Sequence, residues 1–301
     1  MRSLLTAAII FLSVLASEAA AEQREAIGTG RLFTNDYFGD QRDRWRTGSY
    51  VLSHLRSPAP YDGQPRPFGD IIEYRFRGEI IAPQTGGNNE GMRPYVGALS
   101  LGAHTHFGFG GSLASLGADV TAIGPQTGLD RFQETFHEAF SLPLPSRRNQ
   151  LDDEVFISGT AALSHLILLG DDVTLRPFAE AQVGVEDIVR VGGDVIIGAV
   201  GQEDLMLRDV VTGQLYRGTT SAGFGPSIMV GADIAAVGDS AYLPADSGYV
   251  ASETRTRARA GVHYQVSEDI SFFYGMTYLS EEFEGQPEGQ VLGSLKLNFN
   301  F

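Results

Sequence analysis

Gln133 and His137 stand four residues apart within Leu129-Asp-Arg-Phe-Gln-Glu-Thr-Phe-His-Glu-Ala-Phe140. On a helix this spacing sets them on one stripe, a single turn apart. Phe132, Phe136 and Phe140 repeat every four residues and form the neighbouring apolar stripe. Gly124-Pro125 and Gly128 punctuate the start of the segment, and Pro143 and Pro145 end it. Two readings follow: a helix that caps the rim of a larger structure, or one whose phenylalanines dock on a wall and present His137 to a substrate. Two further clusters, Thr34-Asn35-Asp36 and Asp43-Arg44-Trp45-Arg46-Thr47-Gly48, are ordinary turn and strand-end chemistry when read alone. His104 and His106 have a strand spacing that could seat a metal, although they read more simply as turn residues. The chain has no cysteine and no Gly-x-Ser-x-Gly elbow, so the usual signatures of thiol and serine catalysis are missing. A water nucleophile served by histidine and a metal is the chemistry that remains.

The elements that must position these groups are strands. With 43% hydrophobic and 20% charged residues, the 301-residue chain has the composition of a folded protein. Its 22 basic residues against 37 acidic ones give a net charge of −15, which argues against nucleic acid as a partner. Arg2, the apolar run from Leu4 to Leu15 and Ala19-Ala20-Ala21 predict a signal peptide over 1–21, leaving 22–301 as one domain. No later run reaches the roughly 18 apolar residues of a membrane-spanning helix. The exported chain therefore stays in the periplasm or crosses the outer membrane of a Gram-negative-type cell as strands.

Period-two alternation runs through most of the sequence. Ile72, Tyr74, Phe76 and Ile80 alternate with Glu73, Arg75, Arg77 and Glu79. Arg255, Arg257, Arg259 and His263 share one face of a later strand, opposite Ala258, Ala260, Val262 and Tyr264. A soluble sheet would turn the charged row to water, whereas an outer-membrane barrel turns it inward and the apolar row to lipid. Three features select the barrel. The chain ends on Phe301 at the tip of an alternating strand; three arginines in line suit internal salt-bridge ladders; and Tyr50, Tyr74, Tyr95, Tyr264 and Tyr278 fall where an aromatic girdle would lie. Strands are expected near 29–38, 46–56, 69–81, 93–105, 106–119, 153–168, 172–186, 188–201, 221–236, 252–266, 268–283 and 289–301. Stretches 57–68, 82–92, 202–220 and 238–251 read as loops, with Glu281, Glu282 and Glu284 on a solvated rim. The expected fold is all-β: a transmembrane antiparallel barrel of about twelve strands with one short loop helix.

Taken in order, Asn35-Asp36, Asp43 to Gly48, Arg93-Pro94-Tyr95-Val96-Gly97 and Gly124-Pro125…Gln133-x-x-x-His137 resemble the outer-membrane lipid A 3′-O-deacylase family, the LpxR type. The resemblance spans the mature chain. It departs at Arg46, where the family usually carries tyrosine, at Met92, where an acidic residue is common, and in loop 82–92, which lacks the family's lysines. The resemblance implies calcium-dependent hydrolysis of an acyloxyacyl ester in the outer leaflet. By it His137 is the general base, Asp36 ligates Ca2+, and Asn35 and Thr47 help position the ester oxygen or the metal shell. Gln133 orients the imidazole or the water. The implied partners are lipid A, lipopolysaccharide and outer-membrane lipids, with a monomer as the default state.

Consecutive residues of a regular strand point to opposite faces, so Asn35 and Asp36 can serve one site only at a rim or a bulge. Two other function classes stay open at this level. A passive barrel, pore or structural, needs no His137 chemistry, and a serine-type outer-membrane phospholipase would label with a fluorophosphonate.

Overall fold

Alternating strands of this kind cannot leave their charged rows in lipid, and the chain closes on itself to avoid it. A computed structural model describes residues 24–84, 93–147, 149–219, 223–267 and 270–299; the expected signal peptide lies outside them. Twelve strands form the closed antiparallel wall among the described residues: β1 (Glu25–Asn35), β2 (Trp45–Ser57), β3 (Ile71–Ala82), β4 (Val96–Phe109), β5 (Ser112–Ile123), β6 (Glu154–Ser164), β8 (Val173–Val183), β9 (Glu186–Ile197), β12 (Gly225–Ser240), β13 (Thr254–Gln265), β14 (Ile270–Leu279) and β15 (Gln290–Phe299). β1 pairs with β15 and β6 with β8, which closes the ring. A short β7 (Ile167–Leu168) continues β6 in the same register along β8. The gap between them faces Pro177, which has no N–H to donate to the ladder and only accepts from His165. The one α-helix among the described residues, α1 (Leu129–Phe140), has the bounds expected from its periodicity.

The charged rows line the lumen. Glu73, Arg77 and Glu79 are buried, while Ile72, Tyr74 and Phe76 are partly exposed on the outer wall. Arg255, Arg257 and Arg259 pair with Glu186, Asp233 and Asp194 at 2.9, 2.9 and 2.7 Å. Outward rows such as Ile228, Val230 and Ile234 are about half exposed, as lipid-facing side chains must be.

The structure corrects several expected boundaries. The turn between β4 and β5 falls at Gly110-Gly111, which adopt φ of 57° and 78°, and not at 105–106. His104 and His106 therefore point into the lumen from mid-strand, where His106 meets Glu73 at 2.7 Å and His104 meets Asp119 at 3.3 Å. Residues 36–38 are a 3-10 turn, and Arg93 to Tyr95 precede β4. Glu282 is not on a solvated rim: it is buried between Arg46 and Arg93, at 2.5 Å from each. Tyr95 is buried rather than part of a girdle.

Residues 202–219 of the stretch expected as a loop return into the barrel. Their β10 (Met206–Arg208) and β11 (Leu215–Arg217) form a hairpin inside the lumen. Tyr216 Oη meets Ser53 Oγ at 3.0 Å, Gln214 donates to Thr277 at 3.1 Å, Arg208 pairs with Asp194 at 2.7 Å and Lys296 donates to the Arg217 carbonyl at 3.1 Å. Four wall strands thus grip one plug. Gly28 on β1 permits the approach, because a Cβ there would lie 2.1 Å from the Gly218 carbonyl oxygen. The filled lumen makes a direct prediction: reconstituted in a planar bilayer, the protein passes no steady ion current. Replacing residues 203–219 by a short Gly/Ser linker opens a pore. A stable conductance from the unaltered protein would contradict the plug.

Candidate active site

The hairpin enters from the end where β1 begins and β15 ends; the candidate site lies at the opposite, upper rim. β1 ends at Asn35, paired to Gly48, and the chain breaks into the 3-10 turn Asp36–Phe38. Asn35 Oδ1 accepts from the Tyr37 N–H at 2.9 Å and caps this turn. The turn folds over the outer wall of β15, where a Cβ on Gly293 would strike the Phe38 backbone. Leaving the strand at this point frees Asp36 from alternation, which resolves the difficulty of two consecutive site residues.

Asp36 is 2% exposed, and its Oδ2 accepts from the Arg44 N–H at 2.9 Å. Gln290 holds that stretch of backbone: its Nε2 donates to the Arg44 carbonyl at 2.6 Å, and its Oε1 accepts from Arg46 N at 3.2 Å. The β2–β3 register then shifts between Arg46 and Gly48. This bulge at Thr47 turns Arg46 into the lumen, onto Glu79, Glu186 and Glu282 at 2.6, 3.2 and 2.5 Å. Thr47 stays at the rim. Its hydroxyl lies between the Asp36 and Asp43 carboxylates and donates to Asp43 Oδ1 at 2.5 Å. Burial pushes the Asp36 carboxyl up to about 8; the Arg44 N–H opposes this, while Asp43 and Asp40 add to it. Burial also raises Asp43, against the Thr47 hydroxyl and the nearby His137.

Helix α1 rests on the outer wall. Gly97, outward-facing on β4, is the contact point: a Cβ there would lie 2.7 Å from Thr127 Oγ1 and 3.0 Å from Leu129 Cβ. The phenylalanines do not dock on the wall. Phe132, Phe136 and Phe140 are exposed, and Asp130, Gln133 and His137 are the buried residues of the helix. Gln133 Oε1 accepts from the Tyr95 hydroxyl at 2.9 Å, which explains a tyrosine in the Arg-Pro-Tyr element.

His137 Nδ1 lies 2.6 Å from the Pro143 carbonyl oxygen. A carbonyl can only accept, so Nδ1 carries the hydrogen and the neutral ring keeps its lone pair on Nε2. Nε2 faces Asp43 Oδ2 at 3.5 Å. That oxygen is buried and takes no hydrogen bond from the described residues. Two acceptors facing each other need a donor or a cation between them.

The structure therefore brings Asp36, Thr47 and His137 to one rim, with Asn35 beside them on the outer face and Gln133 one turn behind His137. Sequence reasoning missed Asp43 as the carboxylate opposite His137 and Pro143 as the acceptor that sets its tautomer. The Asp43/Thr47 spacing within one motif was the available signal for the first. Among the described residues no three His, Asp or Glu side chains form a metal cluster. The donors present are nonetheless of the kind a hard cation takes: two crowded carboxylates, a hydroxyl and a carboxamide, with one carboxylate oxygen unpartnered. No cationic side chain among the described residues pairs with Asp36. Residues 85–92, most of loop 82–92, lie outside those described.

A closed twelve-strand barrel with lipid-facing apolar rows and a polar rim site is an outer-membrane protein. The family model for outer membrane protein LpxR matches residues 4–301, and the chain belongs to that family. Its structure is similar to LpxR from Salmonella typhimurium, with a TM-score of 0.71 and 16% identity over 91% of this chain and 100% of that one. The NanC porin matches more loosely, at a TM-score of 0.42 and 6% identity over 91% of this chain and 100% of that one. The beta domain of the Bordetella autotransporter BrkA gives 0.40 and 11% over 92% and 99%. No curated protein sequence matches the chain.

Proposed function

We propose that the protein hydrolyses the 3′-linked acyloxyacyl ester of lipid A in the outer leaflet, with calcium as its cofactor. Membership of the LpxR family supports the substrate class, and one observation carries the chemistry. His137, pinned at Nδ1 by Pro143, offers Nε2 toward an unpartnered Asp43 oxygen on the lipid side of the rim.

A water within about 2.8 Å of both acceptors would donate one hydrogen to each. His137 Nε2 takes a proton as the water oxygen bonds to the acyl carbon, and the imidazolium so formed is balanced by Asp43. As the tetrahedral species collapses, the bond from the acyl carbon to the sugar 3′-oxygen breaks. Nε2 returns its proton to that oxygen. The products are the free acyloxyacyl acid and a 3′-hydroxyl. Asn35 Nδ2, beside the outward face of Gly48, is available to donate to the ester carbonyl. Thr47 has a single hydroxyl hydrogen, committed to Asp43, so it positions Asp43 rather than the ester. Gln133, anchored by Tyr95, keeps the inward face of α1 at the site. Asp36, with oxygen from Thr47 and Asn35, would hold the calcium, whose charge when bound stabilises a developing oxyanion.

The outer wall supplies a path for an acyl chain. Gly48 and, one row deeper, Gly78 both face outward, and a Cβ on Gly78 would meet only Leu99 Cδ2, at 3.4 Å. Gly78→Phe is therefore expected to raise KM for lipid A roughly tenfold, the loss of about 1.4 kcal/mol of binding, with barrel folding unchanged. An unaltered KM would remove the acyl chain from this part of the wall.

The test of the proposal is the purified protein incubated with lipid A. Release of the 3′-acyloxyacyl acid, with no labelling by a fluorophosphonate, is the expected result. Fluorophosphonate labelling with activity on glycerophospholipids would replace it by a serine-type mechanism.

A further inference from the structure

The surface of α1 divides into three faces. At about 100° per residue, Gln133 and His137 face the barrel, Phe132, Phe136 and Phe140 form one flank, and Arg131, Glu134 and Glu138 form the other. The exposures agree: the three phenylalanines are 63%, 48% and 64% exposed, and the tilted rings of Phe136 and Phe140 lie 4.7 Å apart. Leu142 and Leu144, just beyond the helix, are exposed as well. A helix lying on water would gain nothing from such a flank; one lying in a membrane interface has an apolar side down and a charged side up.

The apolar flank also continues a surface that already meets lipid. α1 sits on the outer face of Gly97, which is in one cross-strand row with Ile80, Gly48 and Asn35. The next row down carries the outward Phe33, 43% exposed. On the other side of the site, the turn over Gly293 brings Phe38 to 6.1 Å from Phe33 and Tyr37 to 6.2 Å from Phe38. Both flanks of the site are thus aromatic, both rest on outward glycines, and both adjoin the lipid-facing wall.

We infer that α1 is an interfacial membrane element, with Phe132, Phe136 and Phe140 seated among the acyl chains of the outer leaflet. The turn Asp36–Phe38 is its counterpart across the site, so the site opens sideways into the leaflet. This rests on the outer-membrane location of the barrel and not on the hydrolytic reading.

The chain has no cysteine, so a single introduced thiol can be labelled without background. Phe136→Cys and Glu138→Cys, on opposite flanks, are spin-labelled in full-length protein reconstituted in phosphatidylcholine vesicles. Collision with oxygen, which concentrates in the acyl region, is compared with collision with a water-soluble nickel chelate. The oxygen-to-nickel ratio is expected to be several-fold higher at 136 than at 138. Equal ratios, or a label at 136 reached mainly by nickel, would overturn the inference. Spin–spin broadening at 136 that persists when the protein is diluted with lipid would also overturn it, by showing a second copy on the stripe. Phe132→Cys gives the same reading should the label at 136 disturb folding. A barrel without hydrolytic activity that gives the expected ratio would defeat the functional proposal and leave this one standing.

Discussion

Replacing His137 by alanine is expected to lower the rate of lipid A deacylation by about 10²–10⁴-fold, the usual contribution of a positioned general base. The barrel should fold unchanged. His137 contacts the Pro143 carbonyl and faces Asp43, both at the rim, and takes part in no strand ladder. His137→Gln should be equally inactive, because a carboxamide can hold a hydrogen bond but cannot accept the proton. Initial rates on purified lipid A, read beside the heat-dependent electrophoretic shift of a folded barrel, separate lost chemistry from lost folding. Activity within a few-fold of wild type in either variant would remove His137 from the mechanism. Asp43→Asn keeps the Thr47 contact and loses the charge opposite the imidazolium, so an intermediate loss is expected.

The second large effect concerns Asp36. Asp36→Ala and a calcium chelator should each abolish deacylation, and calcium should restore only the chelated wild type. Proton linkage gives an independent readout. With its carboxyl raised to about 8 in the cation-free fold, against an ordinary 3.8, the folded chain keeps a proton that the unfolded chain releases. Cation-free stability therefore falls as pH rises from about 4 to about 8, and the full penalty is present above about 8. Asp36→Asn removes the penalty. Without cation it should unfold at a higher temperature than wild type at pH 9 and match it at pH 4. With calcium the order at pH 9 should reverse. A wild type whose thermal unfolding ignores calcium at pH 9 would count against a cation at Asp36.

Much of the fold was legible because its signals are periodic over long stretches. Rows such as Glu73 to Glu79 and Arg255 to Arg259 announce a charged lumen once the barrel is chosen, and the structure pairs them inside as expected. The four-residue repeat of Phe132, Phe136 and Phe140 marked the helix to its end residues. Which stripe faces the protein was not legible, because in lipid an apolar stripe loses its default preference for the interior. The lumenal hairpin escaped because β10 and β11 are three residues each, too short for alternation to register. The turn at Gly110-Gly111 was announced by its glycines, and reading it at 105–106 moved both histidines from the lumen to a turn. Of the candidate site, the resemblance supplied Asn35, Asp36, Thr47, Gln133 and His137, which remain candidates for the proposed chemistry. The Asp43–His137 encounter depends on where a bulge falls and on how a helix is hung from Gly97, and neither leaves a pattern in sequence.

The account as a whole is tested most directly by mass spectrometry of lipid A from Gram-negative cells producing the protein. Cells with the folded wild-type barrel should lose the mass of one 3′-linked acyloxyacyl chain from their lipid A, and cells with equal amounts of folded His137→Ala should not. Fully acylated lipid A in the presence of abundant, folded, calcium-supplied wild-type protein would contradict the proposed reaction.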